Sequence, residues 1–368
     1  MKLNLWPNTA TEKKAFPALG IVSWIFLISA CLNSQSSLAA DKSQLTSPQK
    51  SEQVTNTSKA DDKIYPDGIV QIPSDASFSP YVFLVDKTER KLFVYETDGE
   101  FVKKLAEFPA DVGKSDGDKT KRDDHKTPEG IYFLESKLIA PQIDFSLYGS
   151  MAFTTNYPNI FDRRDNKTGS GIWLHAVPDS VPLTRGSRGC VVVRDNVIKN
   201  LSQYIKLGKT PILIFGKINY LAKNEYLAHK KKFLDIIEKW KDSWQSQKFD
   251  SYMSYYDPTF KNRDMNYQRW FEHKKNLAER RSYIKVQLST PSIFLNKGYI
   301  VVRTMQNYES NEHSDFGEKT IYGRLNEQAF SIVREDWKPA PMEIAQKSEA
   351  PTTGNTPPVA LDTKNSKN

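Results

Sequence analysis

Two residues fifteen positions apart offer this chain a nucleophile and a base: His175 and Cys190, within GIWLHAVPDSVPLTRGSRGCVVV. A cysteine attacks as its thiolate, and with an unperturbed pKa of about 8.5 it needs help near neutral pH. An imidazole within reach supplies that help, by taking the proton during attack or by holding an ion pair. The turn before the cysteine, Arg185-Gly186-Ser187-Arg188-Gly189, contains two glycines. Glycine lets a backbone turn sharply, so the Gly189 and Cys190 amides are candidates for an oxyanion hole facing a tetrahedral intermediate. Arg188 would add positive charge beside the sulfur or meet a substrate carboxylate. The same residues have a plainer reading: Cys190 as a small buried apolar residue ahead of three valines, and His175 as a satisfied core histidine.

The elements that must position this pair read as short strands. Residues 81–85 and 91–96 flank a polar turn at 86–90, as in a hairpin. Residues 130–134, 151–154, 171–175, 190–193 and 211–215 continue the series, with one helix expected over 195–207. His175 then ends one strand and Cys190 begins another. Many short strands with a single helix predict a mostly β first domain, a sandwich or barrel.

Composition shifts after Lys217. Residues 222–247 have helical periodicity, with Phe233, Ile236, Ile237, Trp240 and Trp244 on one face and Lys and Glu on the other. Two further helical stretches precede alternating strands at 283–288, 299–305, 320–325 and 330–337. Helices followed by a run of antiparallel strands predict an α+β second domain.

At 368 residues, with 38% hydrophobic and 12% aromatic residues, the chain can fill two cores. Residues 1–40 read as an export signal, Lys13 and Lys14 preceding an apolar run over 15–32. Three outcomes stay open: cleavage at Ser37-Leu38-Ala39-Ala40, lipidation of Cys31 in the lipobox-like Ile28-Ser29-Ala30-Cys31, or an uncleaved anchor. Two of these anchor the chain to a membrane, and all three export it to the periplasm or cell envelope. Residues 41–63 and 341–368 are polar and read as a disordered linker and tail, which leaves domains at 64–220 and 225–340. Cys31 belongs to the signal, so Cys190 is the lone thiol beyond it, whereas exported proteins usually pair their cysteines. A net charge of +8 suits an anionic polymer or membrane surface. Export and the lack of a basic groove interleaved with aromatics argue against nucleic acid. The five histidines are dispersed with no carboxylate–histidine cluster, so no metal or other cofactor is expected. Oligomeric state is not encoded in any feature of the sequence.

Ser187-Arg188-Gly189-Cys190 resembles the Ser/Thr-His-Gly-Cys mark of L,D-transpeptidase (YkuD-type) catalytic domains, which follows a histidine and a loop. FLVDKTERKLFVYE, VGK at 112–114, KTPEG at 126–130 and YPNIFDRRDNKTGSGIWLHA at 157–176 resemble further family segments in the same order, over about 80–217. The resemblance implies Cys190 as nucleophile, His175 as general base, Ser187 and Gly189 shaping the site, and peptidoglycan stem peptides as substrate. Three departures stand out: Arg188 for a histidine, Val192 for Arg or Asn, and Ala176 for a glycine. Arg163, Arg164 and Arg194 are candidates for stem-peptide carboxylates, beside the plainer reading as solvated surface arginines. The second domain resembles the nuclear-transport-factor-2-like (NTF2-like) cone through Trp240, Trp244, YMSYYDPTF at 252–260, Trp270, QNYES at 306–310 and EDW at 335–337. Its aromatic stripe reads as core, with a glycan or peptide end in the cone's mouth as the alternative. Together the two domains resemble cell-shape-determining L,D-carboxypeptidases. That implies trimming of tetrapeptide stems to tripeptides through a thioester. The alternatives are an L,D-transpeptidase that forms crosslinks or attaches protein to the wall and, in another class, a non-catalytic wall-binding module.

Overall fold

The structure is a computed structural model that describes residues 64–73, 76–326 and 329–341. The expected signal at 1–40, the linker at 41–63 and the tail beyond residue 341 lie outside the described residues. The described residues open with two short strands, β1 (Ile64–Pro66) and β2 (Ile69–Gln71). The elements of the first domain follow: β3 (Tyr81–Asp86), β4 (Lys91–Thr97), β5 (Val102–Pro109), β6 (Gly130–Leu138), α1 (Phe145–Tyr148), β7 (Ala152–Thr155), α2 (Ile160–Arg164), β8 (Trp173–Val177), β9 (Val191–Arg194), α3 (Asp195–Ser202) and β10 (Pro211–Phe215). Eight strands form one mixed sheet in the order β5-β4-β3-β10-β6-β7-β8-β9. It is parallel at β3–β10 and β8–β9.

The central strands are apolar at nearly every position because both faces of the sheet are covered, the usual signature of a buried strand. Side chains alternate between faces. On β3, Phe83 and Val85 enter one core with Leu134, Leu174, Val191 and Ile212. Val82 and Leu84 enter another with Leu213, Phe294, Val301 and Val333. The last three residues belong to the second domain, so the two domains share a hydrophobic core.

The second domain begins with β11 (Tyr220–Ala222), α4 (Lys223–Gln245), α5 (Phe249–Met253), β12 (Lys261–Asn262), β13 (Met265–Asn266) and α6 (Tyr267–Arg280). Five strands complete it: β14 (Ile284–Leu288), β15 (Ser292–Asn296), β16 (Tyr299–Ser310), β17 (Ser314–Asn326) and β18 (Ala329–Pro339). The expected helical face of α4 is the buried one, with Phe233, Ile237, Trp240 and Trp244 packed beside Trp270 and Ile284 under the sheet. A curled, strand-rich first domain followed by an α+β domain is therefore the architecture that the sequence patterns predicted.

Three details differ. β2 falls within the bounds 64–220 expected for the first domain, yet it pairs antiparallel with β15 at the edge of the second sheet, while β1 pairs with β11. Three residues are too few to display a period, so sequence alone could not assign them. α3 ends at Ser202 rather than 207. His175 lies in the middle of β8 rather than at its end.

Candidate active site

The parallel register of β8 and β9 pairs Leu174 with Val191 and His175 with Val192. Leu174, Ala176, Val191 and Val193 point into the core. By alternation, Trp173, His175, Cys190 and Val192 share the other face. Cys190 sits one residue before β9 and two before the partner of His175, so thiol and imidazole are diagonal neighbours on one side of the sheet.

His175 is buried, and its Nδ1 lies 2.8 Å from the carbonyl oxygen of Ala176. A carbonyl can only accept, so Nδ1 carries the proton and the lone pair of the neutral ring is on Nε2. Burial lowers the imidazole pKa, outweighing the Ala176 hydrogen bond, so the ring is held neutral. Tyr148 packs edge-on against it, with ring centroids 5.0 Å apart. That contact depends on Gly149, where φ is 64° and an added Cβ would lie 2.5 Å from Cβ of Ala176. Gly149 thus leaves room for the methyl group of Ala176. Asp195, at the start of α3, fixes the same corner by accepting the Ser150 N–H at 2.6 Å.

Cys190 is half-buried, and its Sγ donates to the carbonyl of Gly171 at 3.5 Å. Burial around the sulfur pushes the thiol pKa up; the Trp173 N–H and the charge of Lys119 oppose this without reversing it. Thiol and imidazole are therefore each held toward the neutral form. Arg188 was expected to supply charge at the sulfur. It instead extends into solvent toward Asp123, 3.7 Å away, and both side chains are mostly exposed. The cation whose field reaches the sulfur is Lys119, buried and paired with Asp124 at 2.7 Å. Lys119 lies in a run of charged residues that reads as a solvated loop, so no sequence signal singled it out.

The turn before the thiol is tightly determined. The Ser187 hydroxyl donates to the carbonyl of Cys190 at 2.7 Å and accepts the Gly189 N–H at 3.0 Å. One of the two amides expected to form an oxyanion hole is thereby already occupied, which leaves the Cys190 amide as the candidate. Gly186 N–H donates to Asp111 Oδ2 at 2.8 Å, Lys114 N–H donates to the carbonyl of Ser187, and Asp111 and Val192 exchange backbone hydrogen bonds. Gly189 has φ of 136°, and a Cβ there would meet the Lys126 carbonyl oxygen at 2.8 Å. Gly189→Ala is accordingly expected to displace the thiol and slow Cys190 chemistry by ~100-fold, since about 1 Å of misplacement costs that much. Alkylation and turnover rates at matched folded fraction check this.

The arginine candidates are not brought together. Arg164 reaches across to Thr259 of the second domain, bonding its carbonyl and hydroxyl oxygens. It is an interdomain contact rather than a group facing the thiol. Arg163 bonds the carbonyl of Pro158. Arg194, at the end of β9, donates to the carbonyls of Asp179 and Val181, bracing the loop between His175 and Cys190. Both bonds come from its Nη1.

The family model of the L,D-transpeptidase catalytic domain, YkuD, matches residues 80–214, and that of the Cds6 C-terminal NTF2-like domain matches 232–336. The structure of Bd1075 from Bdellovibrio bacteriovorus is 53% identical over 76% of this chain and 99% of that one, with a TM-score of 0.71. The helical cell shape determining protein Pgp2 from Campylobacter jejuni is 26% identical over 74% of this chain and 95% of that one, with a TM-score of 0.58. No curated protein sequence matches the chain.

Proposed function

Because the chain belongs to the family that joins an L,D-transpeptidase (YkuD) catalytic domain to a C-terminal NTF2-like domain, we propose that it trims peptidoglycan tetrapeptide stems to tripeptides, as an L,D-carboxypeptidase with Cys190 as nucleophile. The observation that supports this reading is the β8–β9 register, from which alternation assigns Cys190 and His175 to one face, with Cys190 a half-buried residue. The likeness to Pgp2, a helical cell shape determining protein, supports a role in cell shape. Export to the periplasm, with or without membrane anchoring, is part of the same proposal.

The chemistry follows from the neutral resting pair. Nε2 of His175 takes the Cys190 proton as sulfur attacks the carbonyl carbon between the L-centre of the third stem residue and D-alanine. The oxyanion meets the Cys190 N–H. The imidazolium then returns the proton to the departing amine, and D-alanine leaves with a thioester on Cys190. Water, deprotonated by the same Nε2, attacks the thioester, and collapse releases the tripeptide carboxylate and the thiol. Arg188, exposed and loosely paired, is free to turn toward the terminal carboxylate. An amine of a neighbouring stem in place of water would make the reaction a transpeptidation. Incubation with a disaccharide-tetrapeptide decides: tripeptide with free D-alanine is expected, and dimers would replace hydrolysis by transfer.

The pH profile has a definite sign. A base whose pKa is lowered keeps its lone pair at more acid pH, so kcat/KM should fall only below about pH 6.5. The raised thiol should, by itself, react with iodoacetamide only toward alkaline pH, above the ordinary thiol range of about 8.5. An acid limb at or above neutrality would mean that the imidazole pKa is not lowered, and full alkylation at pH 6 would mean a resting ion pair.

A further inference from the structure

The segment running from Gly113 to Glu129 forms the wall against which the cysteine turn is set. Gly113 exchanges a bridge with Ser187, the Arg185 Nε donates to the Gly113 carbonyl at 3.2 Å, and Gly189 is pressed against the Lys126 carbonyl. Gly113 N–H donates in turn to Thr127 Oγ1 at 2.8 Å, which ties the two ends of the wall together. Displacing this segment displaces the thiol.

The wall is anchored by lysines from three places. Lys87, after β3, donates to the carbonyls of Gly117 and Thr127 at 2.6 and 2.8 Å and to Glu129 Oε1 at 2.9 Å. Lys167, after α2, pairs with Asp118 at 2.9 Å. The third is Lys297, on the turn between β15 and β16 of the second domain, 2.7 Å from Glu129 Oε2 and 3.2 Å from Asp118 Oδ2. Burial lowers the Lys297 pKa less than Glu129 and Asp118 raise it, so the ammonium stays charged. The turn that carries it is firmly seated: Asn296 Nδ2 donates to the carbonyl of Ile214 at 2.8 Å, and Tyr299 donates to Asp165 Oδ1 at 2.6 Å while stacking on Phe161 at 4.2 Å. Lys297 has φ of 50°, a conformation that a lysine adopts at a cost.

We infer that Lys297 is a positioning residue for the reaction at Cys190: the second domain completes the active site by clamping Asp118 and Glu129, and so fixes the wall behind the thiol turn. Lys297 touches no reacting atom, and it acts through Glu129, Thr127 and Lys126. The inference rests on the proposed reaction for its kinetic consequence but not for its effect on the thiol.

The test uses the full chain with Lys297→Met, the milder Lys297→Gln and the rescue variant Lys297→Arg. Three readouts are taken: melting temperature, the rate of Cys190 alkylation by iodoacetamide, and kcat and KM on disaccharide-tetrapeptide. The expected result is a ~10-fold or larger fall in kcat for Met and Gln, as for other small misplacements of a reacting group. KM should stay within about twofold, alkylation should change, and Arg should restore both rates. A kcat unchanged in both neutral variants, a loss matching only the unfolded fraction, or no rescue by Arg would overturn it. Should the wild type release no D-alanine, the proposed reaction fails, and the alkylation rates still decide the role of Lys297.

Discussion

Cys190→Ala is expected to abolish D-alanine release from disaccharide-tetrapeptide, a loss of at least ~1,000-fold, because it removes the thiol that forms the proposed acyl intermediate. Cys190→Ser is the sharper version. Serine is close in shape and keeps a donor for the Gly171 carbonyl, so the fold and melting temperature should hold. Its hydroxyl, however, would have to lose a far less acidic proton to a base whose pKa burial has already lowered. Serine should therefore be nearly as inactive as alanine. Residual activity of either variant above about a tenth of wild type would remove Cys190 from the reaction.

The second large effect is expected from His175→Gln. Burial drives the imidazole and the thiol in opposite directions, each toward its neutral form. In the proposed reaction there is therefore no preformed thiolate to start from, and the proton is taken as the sulfur attacks. Without Nε2 that step falls to hydroxide. The variant should lose ~100- to 10,000-fold in kcat, the range for a positioned general base, with KM little changed. Its residual rate should climb tenfold per pH unit across the range where the wild type is flat. A loss confined to KM would make His175 a binding residue. A flat residual profile would mean that another base serves the thiol.

Part of this site could be read before any coordinates. Cys190 and His175 stood out because thiol, imidazole and a glycine-bearing turn are each needed by one reaction, and the strands beside them are strongly apolar. What escaped was everything set by partners distant in sequence. The glycine at 189 suggests an oxyanion-hole amide, but Ser187 bends its hydroxyl back onto that N–H, a local competition between side chain and backbone that residue types alone do not rank. Arg188 stood next to the sulfur in sequence, yet the charge felt there is that of Lys119, delivered by a loop 71 positions earlier. Arg164 was a fair candidate for a substrate carboxylate until the second domain presented Thr259 to it.

The fold shows the same division. The long amphipathic helix α4 and the buried strand β10 were legible because their periodicity or apolar content extends over enough residues to be read. The short β2 was not, since its three residues take their place from β15, more than 200 positions on. The charged strand β5 escaped for another reason. It lies at the sheet edge with Lys103, Lys104 and Leu105 exposed, which blunts the edge while erasing the apolar signal of a strand.

The most direct test is to quench the enzyme with acid within milliseconds of mixing it with disaccharide-tetrapeptide, digest it, and locate the acyl group by mass. One adduct is expected, the disaccharide-tripeptide acyl group joined to the sulfur of Cys190, formed with stoichiometric release of D-alanine and removed by hydroxylamine. An adduct on any other residue, or undiminished turnover by enzyme whose Cys190 has been quantitatively alkylated, would contradict it.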